Sequence, residues 1–144
     1  METSGTIEIR AAPEAVSRSL RDPAVLRAVL PACRSVVPLG PDRFEAVFAR
    51  AIGPTQVRLT TQLTVASGPA GTETVTFQGR SLVTGSVKAV CTMAMAPAGR
   101  GSRVDYAMTV ELGGLLRRAA SAAAPDAIHG ATRRILARLG KTIA

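Results

Sequence analysis

The stretch LLRRAASAAAPDAIHGATRRILARLGKTIA, from Leu115 to Ala144, decides the fold that this sequence predicts. It follows the pair Gly113-Gly114, where an alternating, β-branched pattern gives way to Ala, Leu and Arg. Apolar residues then recur at helical spacing, which indicates one face turned to the interior. These residues are Ile128, Ala131, Ile135, Leu139 and Ile143. We therefore expect a long C-terminal helix that covers the apolar face of the remaining chain.

Two further features qualify this helix. Pro125 interrupts the stretch, and because proline breaks or kinks a helix, we expect a short helix at 115–124 and a longer one at about 126–141. The side opposite the apolar face carries a basic face, formed by Arg134, Arg138 and Lys141. Such a face is usually solvated, but it also suits docking to an anionic lipid surface or to an acidic protein.

The region between about residue 33 and residue 112 alternates apolar and polar residues, as strands with one buried face do. Turn residues divide it into six segments, for example at Gly40-Pro41 and Gly53-Pro54. Residues 5–11 form a seventh alternating segment. An antiparallel sheet with one apolar face needs a covering element, and the C-terminal helix is the long element available for this.

Two short helices are predicted between the first and second strands. Pro13 is typical of the first turn of a helix, and this helix is expected to run to about Leu20. Asp22-Pro23 marks a second helix start, with the aspartate as N-cap, and Pro31 ends that helix. The predicted order is strand, helix, helix, six strands, helix.

The composition implies an interior with few large rings and a chain with excess positive charge. Aromatic residues make up 3% of the 144 residues, so small and flexible side chains must fill the core, and a space lined by them is easier to leave open. The 18 Lys and Arg residues exceed the 10 Asp and Glu residues, which gives a net charge of +8. This excess has two readings, an arginine-rich coding bias or an attraction to anionic partners.

Several function classes lack their sequence signature. Cys33 and Cys91 have no metal-ligand spacing and His129 is the single histidine, so we expect neither a metal site nor a cofactor. The sequence shows no phosphate-binding glycine motif, no membrane-spanning run and no carboxylates paired for acid–base chemistry. Few aromatic platforms argue against nucleic-acid binding. Unpaired cysteines and the absence of a secretory signal predict a cytoplasmic protein.

Structural motifs spaced along the chain carry a family resemblance. In the first half they are Leu20, Asp22-Pro23, Leu26, Leu30-Pro31-Ala32-Cys33 and Gly53-Pro54. In the second half they are Gly79, Gly85, Arg103-Val104-Asp105-Tyr106 and Gly113-Gly114. Their order resembles the START-like superfamily (SRPBCC, related to Bet v 1), and within it the family of the carbon monoxide dehydrogenase G-subunit. Ala32 stands where that family usually has glycine.

This resemblance implies a single α+β helix-grip domain over residues 1–144, with a curved seven-stranded antiparallel sheet around the C-terminal helix. It implies a non-catalytic accessory protein that binds a hydrophobic small molecule or lipid, for which a quinone is one candidate. The implied enzyme partner is a molybdenum-containing dehydrogenase of the carbon monoxide dehydrogenase type. Peripheral contact with the inner face of the membrane is part of the same expectation.

Inward strand positions and the helical face together predict the walls of a cavity between sheet and helix. A typical ligand cavity has a volume of roughly 300–1,000 Å³. The predicted wall residues are Leu26, Leu30, Phe48, Phe77, Met93, Met95, Tyr106, Met108, Ile128 and Ile135. The methionines suit an irregular apolar guest, and they are equally suited to filling gaps in a core.

Two alternatives stay open at this point. An enzyme such as a cyclase or hydrolase, acting on an apolar substrate, would need a polar constellation, for which Tyr106, His129 and Arg50 are the candidates. The Tyr106 hydroxyl is expected to be buried and to bond either a backbone carbonyl or a ligand. His129 is expected either to bond locally or face solvent, or to reach the head group of a ligand. The other alternative is a peripheral docking module that uses the basic face.

Overall fold

The computed structural model describes residues 1–52, 54–81, 85–121 and 126–143. Its strands are β1 (Glu2–Ile9), β2 (Cys33–Gly40), β3 (Arg43–Ile52), β4 (Thr55–Ser67), β5 (Thr72–Ser81), β6 (Gly85–Ala98) and β7 (Gly101–Gly113). Its helices are α1 (Pro13–Ser19), α2 (Pro23–Val29), α3 (Gly114–Ser121) and α4 (Asp126–Ile143). This order is the predicted one.

The strands form a seven-stranded antiparallel sheet in the order β1-β7-β6-β5-β4-β3-β2. The two strands that flank α1 and α2 in the sequence are therefore the two edges of the sheet. Successive side chains point to opposite faces of a strand. In β4, for example, Leu63 and Val65 are buried, whereas Gln62 and Thr64 are exposed. The buried positions make the inner face that α4 covers.

The two short helices begin and end where local chemistry dictates. Asp22 caps α2, because its carboxylate accepts a hydrogen bond from the Ala24 N–H at 3.0 Å. α2 ends at Val29, and Leu30 is already extended with φ −81° and ψ 127°. The following residue, Pro31, disfavours the helical conformation at Leu30 and so explains this end.

Ala32 adopts a conformation that favours glycine. Its φ is 59°, in the left-handed region, where a Cβ atom costs roughly 1–2 kcal/mol. A hydrogen bond from the Ala49 N–H to the Ala32 carbonyl, at 3.0 Å, holds the backbone in this conformation. The glycine that the family resemblance leads one to expect at this position therefore has a backbone reason.

The C-terminal helix is in two pieces, close to the predicted ranges. The break predicted at Pro125 falls within residues 122–125, which lie outside the described residues. α4 contacts α2 and β1, and these contacts turn Thr132, Leu136 and Leu139 inward as its buried residues. Leu136 was not part of the predicted apolar face. It belongs to the inward face because Thr132, Leu136, Leu139 and Ile143 are themselves at helical spacing.

Candidate functional site

A small apolar cavity lies between the inner face of the sheet, α2 and α4. Its volume is about 70 Å³, well below the predicted range, because side chains from both helices fill most of the space under α4. The surface that its described walls expose is apolar. The described lining residues are Leu20, Leu26, Val29, Leu30, Val75, Phe77, Cys91, Met93, Met108, Thr132, Ile135, Leu136 and Leu139.

The structure brings part of the predicted wall together at this cavity. The predicted residues that line it are Leu26, Leu30, Phe77, Met93, Met108 and Ile135. Met95 and Tyr106 are buried in the core and Phe48 packs against it, but none of the three is among the described lining residues. The side chain of Ile128 lies outside the described part of the chain.

The register of the sheet explains which residues reach the cavity. Val75 on β5 pairs with Cys91 on β6, which pairs with Met108 on β7, which in turn pairs with Thr3 on β1. We call these four residues the Cys91 row. Paired residues of an antiparallel sheet share a face, and three members of this row, Val75, Cys91 and Met108, form the floor of the cavity. The alternating pattern assigns each residue to a face but does not give its row, and Val75 and Cys91 were missed for this reason.

The next inward-facing row lies two residues away along each strand. Met93 on β6 pairs with Glu73 on β5 and with Tyr106 on β7, and Tyr106 pairs with Gly5 on β1. We call these four residues the Tyr106 row. Met93 lines the cavity from this row. Tyr106 is thus a neighbour of two lining residues, Met93 across the strands and Met108 along β7.

Cys91 is a buried thiol in the cavity floor. Burial raises its pKa to about 11, so the thiol is neutral at physiological pH. Cys33 is half-buried, and burial raises its pKa also, although a backbone hydrogen bond from Ser35 and the charge of Arg27 oppose the shift. Neither thiol has the lowered pKa of a reactive cysteine.

A charged cluster joins the α1–α2 connection to the sheet. Arg21 lies 2.7 Å from a carboxylate oxygen of Asp42 and 3.1 Å from one of Glu73, and it donates to Ser67 Oγ at 2.8 Å. Ser67 in turn donates to Glu73 at 2.8 Å. We call these four residues the Arg21 network. Arg21 and Ser67 are the hydrogen-bond partners of the Glu73 carboxylate, and Glu73 is only 5% exposed.

The Arg21 guanidinium is stabilised in its charged form. Burial lowers the pKa of Arg21, but the hydrogen bonds and charges of Glu73 and Asp42 outweigh this, and the net pKa is raised. The sequence pattern did not single out this network. The available signal was Glu73 itself, a charged residue in phase with the inward-facing Val75 and Phe77.

A second polar group lies where β1, β7 and α4 meet. The Tyr106 hydroxyl is buried and has no hydrogen-bond partner, so the backbone carbonyl expected for it is not found. Its ring lies over Gly5, since a Cβ atom on Gly5 would be 2.6 Å from the hydroxyl oxygen. Thr3 Oγ1 and His129 Nδ1 are hydrogen-bonded at 2.5 Å, which fits local bonding of His129. We call Tyr106, Gly5, Thr3 and His129 the Tyr106 region.

The family model of the carbon monoxide dehydrogenase G-subunit (CoxG) matches residues 5–144. The chain belongs to the CoxG family. This confirms the resemblance that the spacing of its caps and turns indicated. No curated protein matches the chain.

Solved structures show which fold this CoxG family member shares. A conserved protein from Geobacillus kaustophilus is 20% identical, with a TM-score of 0.77 over 99% of this chain and 95% of that chain. A STAR-related lipid transfer protein fragment from Xanthomonas axonopodis is 18% identical, with a TM-score of 0.64 over 96% and 85%. A START superfamily protein from Mycobacterium smegmatis is 14% identical, with a TM-score of 0.64 over 97% and 92%. The likeness shows the predicted START/Bet v 1-like fold.

The three residues considered for catalysis are not brought together in this CoxG family member. Arg50 is exposed on β3, which is four strands away from β7 in the sheet order, whereas Tyr106 and His129 lie near β1. Within the described ranges, no group of three or more His, Cys, Asp or Glu residues could hold a metal ion.

The basic face of α4 is accessible. Arg134, Arg138 and Lys141 are exposed, and the neighbouring Arg133 extends the same surface. No salt bridge in the described part of the chain involves these four cations. Nor does any helix of the described residues have the length and apolarity to span a membrane.

Proposed function

We propose that this member of the CoxG family is a non-catalytic accessory protein that binds a hydrophobic small molecule or lipid between the sheet and α4. The observation that carries the proposal is the wholly apolar cavity at that place. A quinone is the guest that we favour, and the partner is a molybdenum enzyme of the carbon monoxide dehydrogenase type. The family name supports the partner, and the fold shared with a lipid transfer protein supports the guest.

The size of the cavity sets the form of binding. A volume of about 70 Å³ is too small for a quinone or lipid, which need roughly 300–1,000 Å³. The guest must therefore displace side chains or shift α4 away from the sheet. Met93 and Met108 suit this, because methionine is flexible and adapts to irregular apolar surfaces. Leu136 and Leu139, which fill the space from α4, would give way with the helix.

The chemistry of the walls supports carriage rather than catalysis. Glu73, a charged residue buried among the described ones, is paired with Arg21 in the Arg21 network. The Cys91 thiol is neutral at physiological pH. Catalysis would require a positioned acid or base, and the described lining includes neither a carboxylate nor a histidine, lysine or arginine.

A cavity-filling variant tests the proposal. We expect the wild-type protein to bind the neutral fluorophore N-phenyl-1-naphthylamine saturably, and decylubiquinone to displace it. Cys91→Leu places a larger side chain in the cavity floor and should weaken binding about tenfold, equivalent to about 1.4 kcal/mol. Cys33→Leu, the same change outside the described lining, is the matched control and should bind as the wild type does.

The outcomes separate the parts of the proposal. Absence of saturable binding to the wild-type protein would refute a hydrophobic guest in this cavity. Binding of the fluorophore without displacement by decylubiquinone would support a hydrophobic guest in the cavity but would exclude a quinone as that guest. Equal weakening by Cys91→Leu and Cys33→Leu would place the guest elsewhere.

A second candidate function is peripheral docking, which the exposed basic face of α4 favours. Each basic residue near an anionic bilayer contributes on the order of 1 kcal/mol, and this attraction falls with salt. We expect sedimentation with vesicles that contain phosphatidylserine at low ionic strength, and release at high ionic strength. Arg134→Gln with Arg138→Gln should reduce sedimentation, whereas Arg50→Gln with Arg58→Gln, which removes two charges elsewhere, should not. No sedimentation at low ionic strength would exclude the lipid version.

A further inference from the structure

The Tyr106 hydroxyl is a hydrogen-bond donor that the folded protein leaves unused. Tyr106 is only 3% exposed, and its hydroxyl oxygen has neither a protein partner nor contact with solvent. Buried polar groups are nearly always hydrogen-bonded, so each exception calls for an explanation. A phenylalanine would fill nearly the same space without this cost. We therefore attribute the tyrosine at this position to the hydrogen bond that its hydroxyl can make, and not to the packing of its ring.

Tyr106 is a neighbour of the candidate cavity in the sheet, although it is not among the described lining residues. Met93, its cross-strand partner, and Met108, the next inward residue of β7, both line the cavity. The ring leans over Gly5, where the missing side chain leaves room for it. Thr3, the next inward residue of β1, holds His129 of α4. The hydroxyl itself thus lies on the β1 side of the ring, near the contact between β1 and α4, where a guest that shifts α4 would reach it.

No polar group of the described residues is hydrogen-bonded to the Tyr106 hydroxyl. Thr3 and His129 are bonded to each other at 2.5 Å. Pairing within the sheet takes up the backbone of β7 on both sides, since β7 lies between β1 and β6. A guest bound beside Tyr106 would therefore supply the missing partner. A guest that presents a hydrogen-bond acceptor would satisfy the O–H donor of this side chain.

The charge of that acceptor follows from the cavity walls. The described lining includes no charged residue, so a carboxylate or phosphate group would be buried there without a counter-ion. A neutral carbonyl oxygen requires no counter-ion. We propose that Tyr106 is the specificity-determining donor of the cavity, and that it selects apolar guests with a neutral carbonyl group over hydrocarbons of the same shape. This rests on the proposed function, and it names the chemical group by which the guest is recognised.

A matched pair of ligands and variants tests this role. The probes are 2-acetonaphthone, which has a carbonyl group, and 2-ethylnaphthalene, which has the same ring system without one. We expect Tyr106→Phe to weaken binding of the ketone about five- to tenfold, the size of one hydrogen bond, and to leave the hydrocarbon unchanged. Thr6→Val removes a hydroxyl from the outer face of β1, where Thr6 bonds Asp105, and should change neither affinity.

A spectroscopic readout distinguishes donation from packing. The carbonyl stretching frequency of bound 2-acetonaphthone should be lower in the wild-type protein than in Tyr106→Phe, because a hydrogen bond weakens the carbonyl bond. Denaturation in urea serves as the folding control. The midpoint for unliganded Tyr106→Phe should equal or exceed that of the wild type, since the lost hydroxyl has no partner.

Each failure has its own meaning. If Tyr106→Phe binds both ligands as the wild type does, or if the carbonyl frequency does not change, Tyr106 is not the recognition group and the cavity proposal stands. If the wild-type protein binds neither naphthalene and also fails to bind N-phenyl-1-naphthylamine, both proposals fall. If it binds the fluorophore and the hydrocarbon but not the ketone, only the carbonyl selection falls.

Discussion

The Arg21 network and the Tyr106 region both bring polar groups to the inner face of one sheet, and they differ in how those groups are partnered. Glu73 is buried with an arginine and a serine bonded to its carboxylate. Tyr106 is buried to a similar degree with nothing bonded to its hydroxyl. Glu73 and Tyr106 belong to the same row of the sheet, each paired with Met93. The two opposite outcomes therefore arise within one row of the same sheet.

The difference shows what the interior tolerates. An isolated buried charge costs several kcal/mol, so Glu73 is stable there only with a full set of partners. An unpaired neutral hydroxyl costs about 1–3 kcal/mol, which a fold can sustain. We interpret the first region as part of the framework. The second retains an unused donor beside the cavity, and that is where recognition of a guest is proposed.

Removal of the arginine should have the largest effect. Arg21→Met leaves the buried Glu73 without its cation and should lower the free energy of unfolding by about 3–4 kcal/mol. Adding Glu73→Gln should recover a large part of this loss, because the remaining side chain is neutral. Urea denaturation of both variants measures the effect. A loss below about 1 kcal/mol for Arg21→Met would show that the two regions are energetically alike.

The pH dependence of stability tests another buried neutral group of the interior, the Cys91 thiol. Burial raises the pKa of Cys91 from 9.0 to about 11, so between these values the thiol ionises in the unfolded chain but not in the folded one. The stability it contributes is fully present below pH 9 and is lost as the pH rises towards 11. The wild-type protein should lose about 2–3 kcal/mol more than Cys91→Ala over this interval. Parallel curves for the two proteins would contradict the burial of this thiol.

A methyl group at Gly5 should give the smallest effect. Gly5→Ala directs a Cβ atom to within 2.6 Å of the Tyr106 hydroxyl oxygen and 2.9 Å of its ring carbon Cζ. We expect a destabilisation of about 1–2 kcal/mol from overpacking. In a Tyr106→Phe background the nearest atom is absent and the penalty should shrink. A penalty that is the same in both backgrounds would mean that the hydroxyl does not lie over Gly5.

The sequence by itself determined the elements of this protein and their order. Proline at the first turn of α1 and α2, the Asp22 cap and the period of two along the strands are local signals, because each depends on neighbours a few residues away. They were sufficient to predict seven strands gripping a C-terminal helix. The caps and turns also carried the resemblance to the family, which the family model confirms. They also identified six of the residues that line the cavity.

Only the tertiary structure decided which inner residues meet. The register of the sheet, which no local pattern fixes, placed Val75, Cys91 and Met108 in one row and Tyr106 in the next. The Arg21 network depends on a contact between residues 52 positions apart. The volume of the cavity depends on how closely α2 and α4 approach the sheet, and such packing is a property of the whole fold. The unpartnered Tyr106 hydroxyl is likewise visible only once every nearby acceptor has been placed.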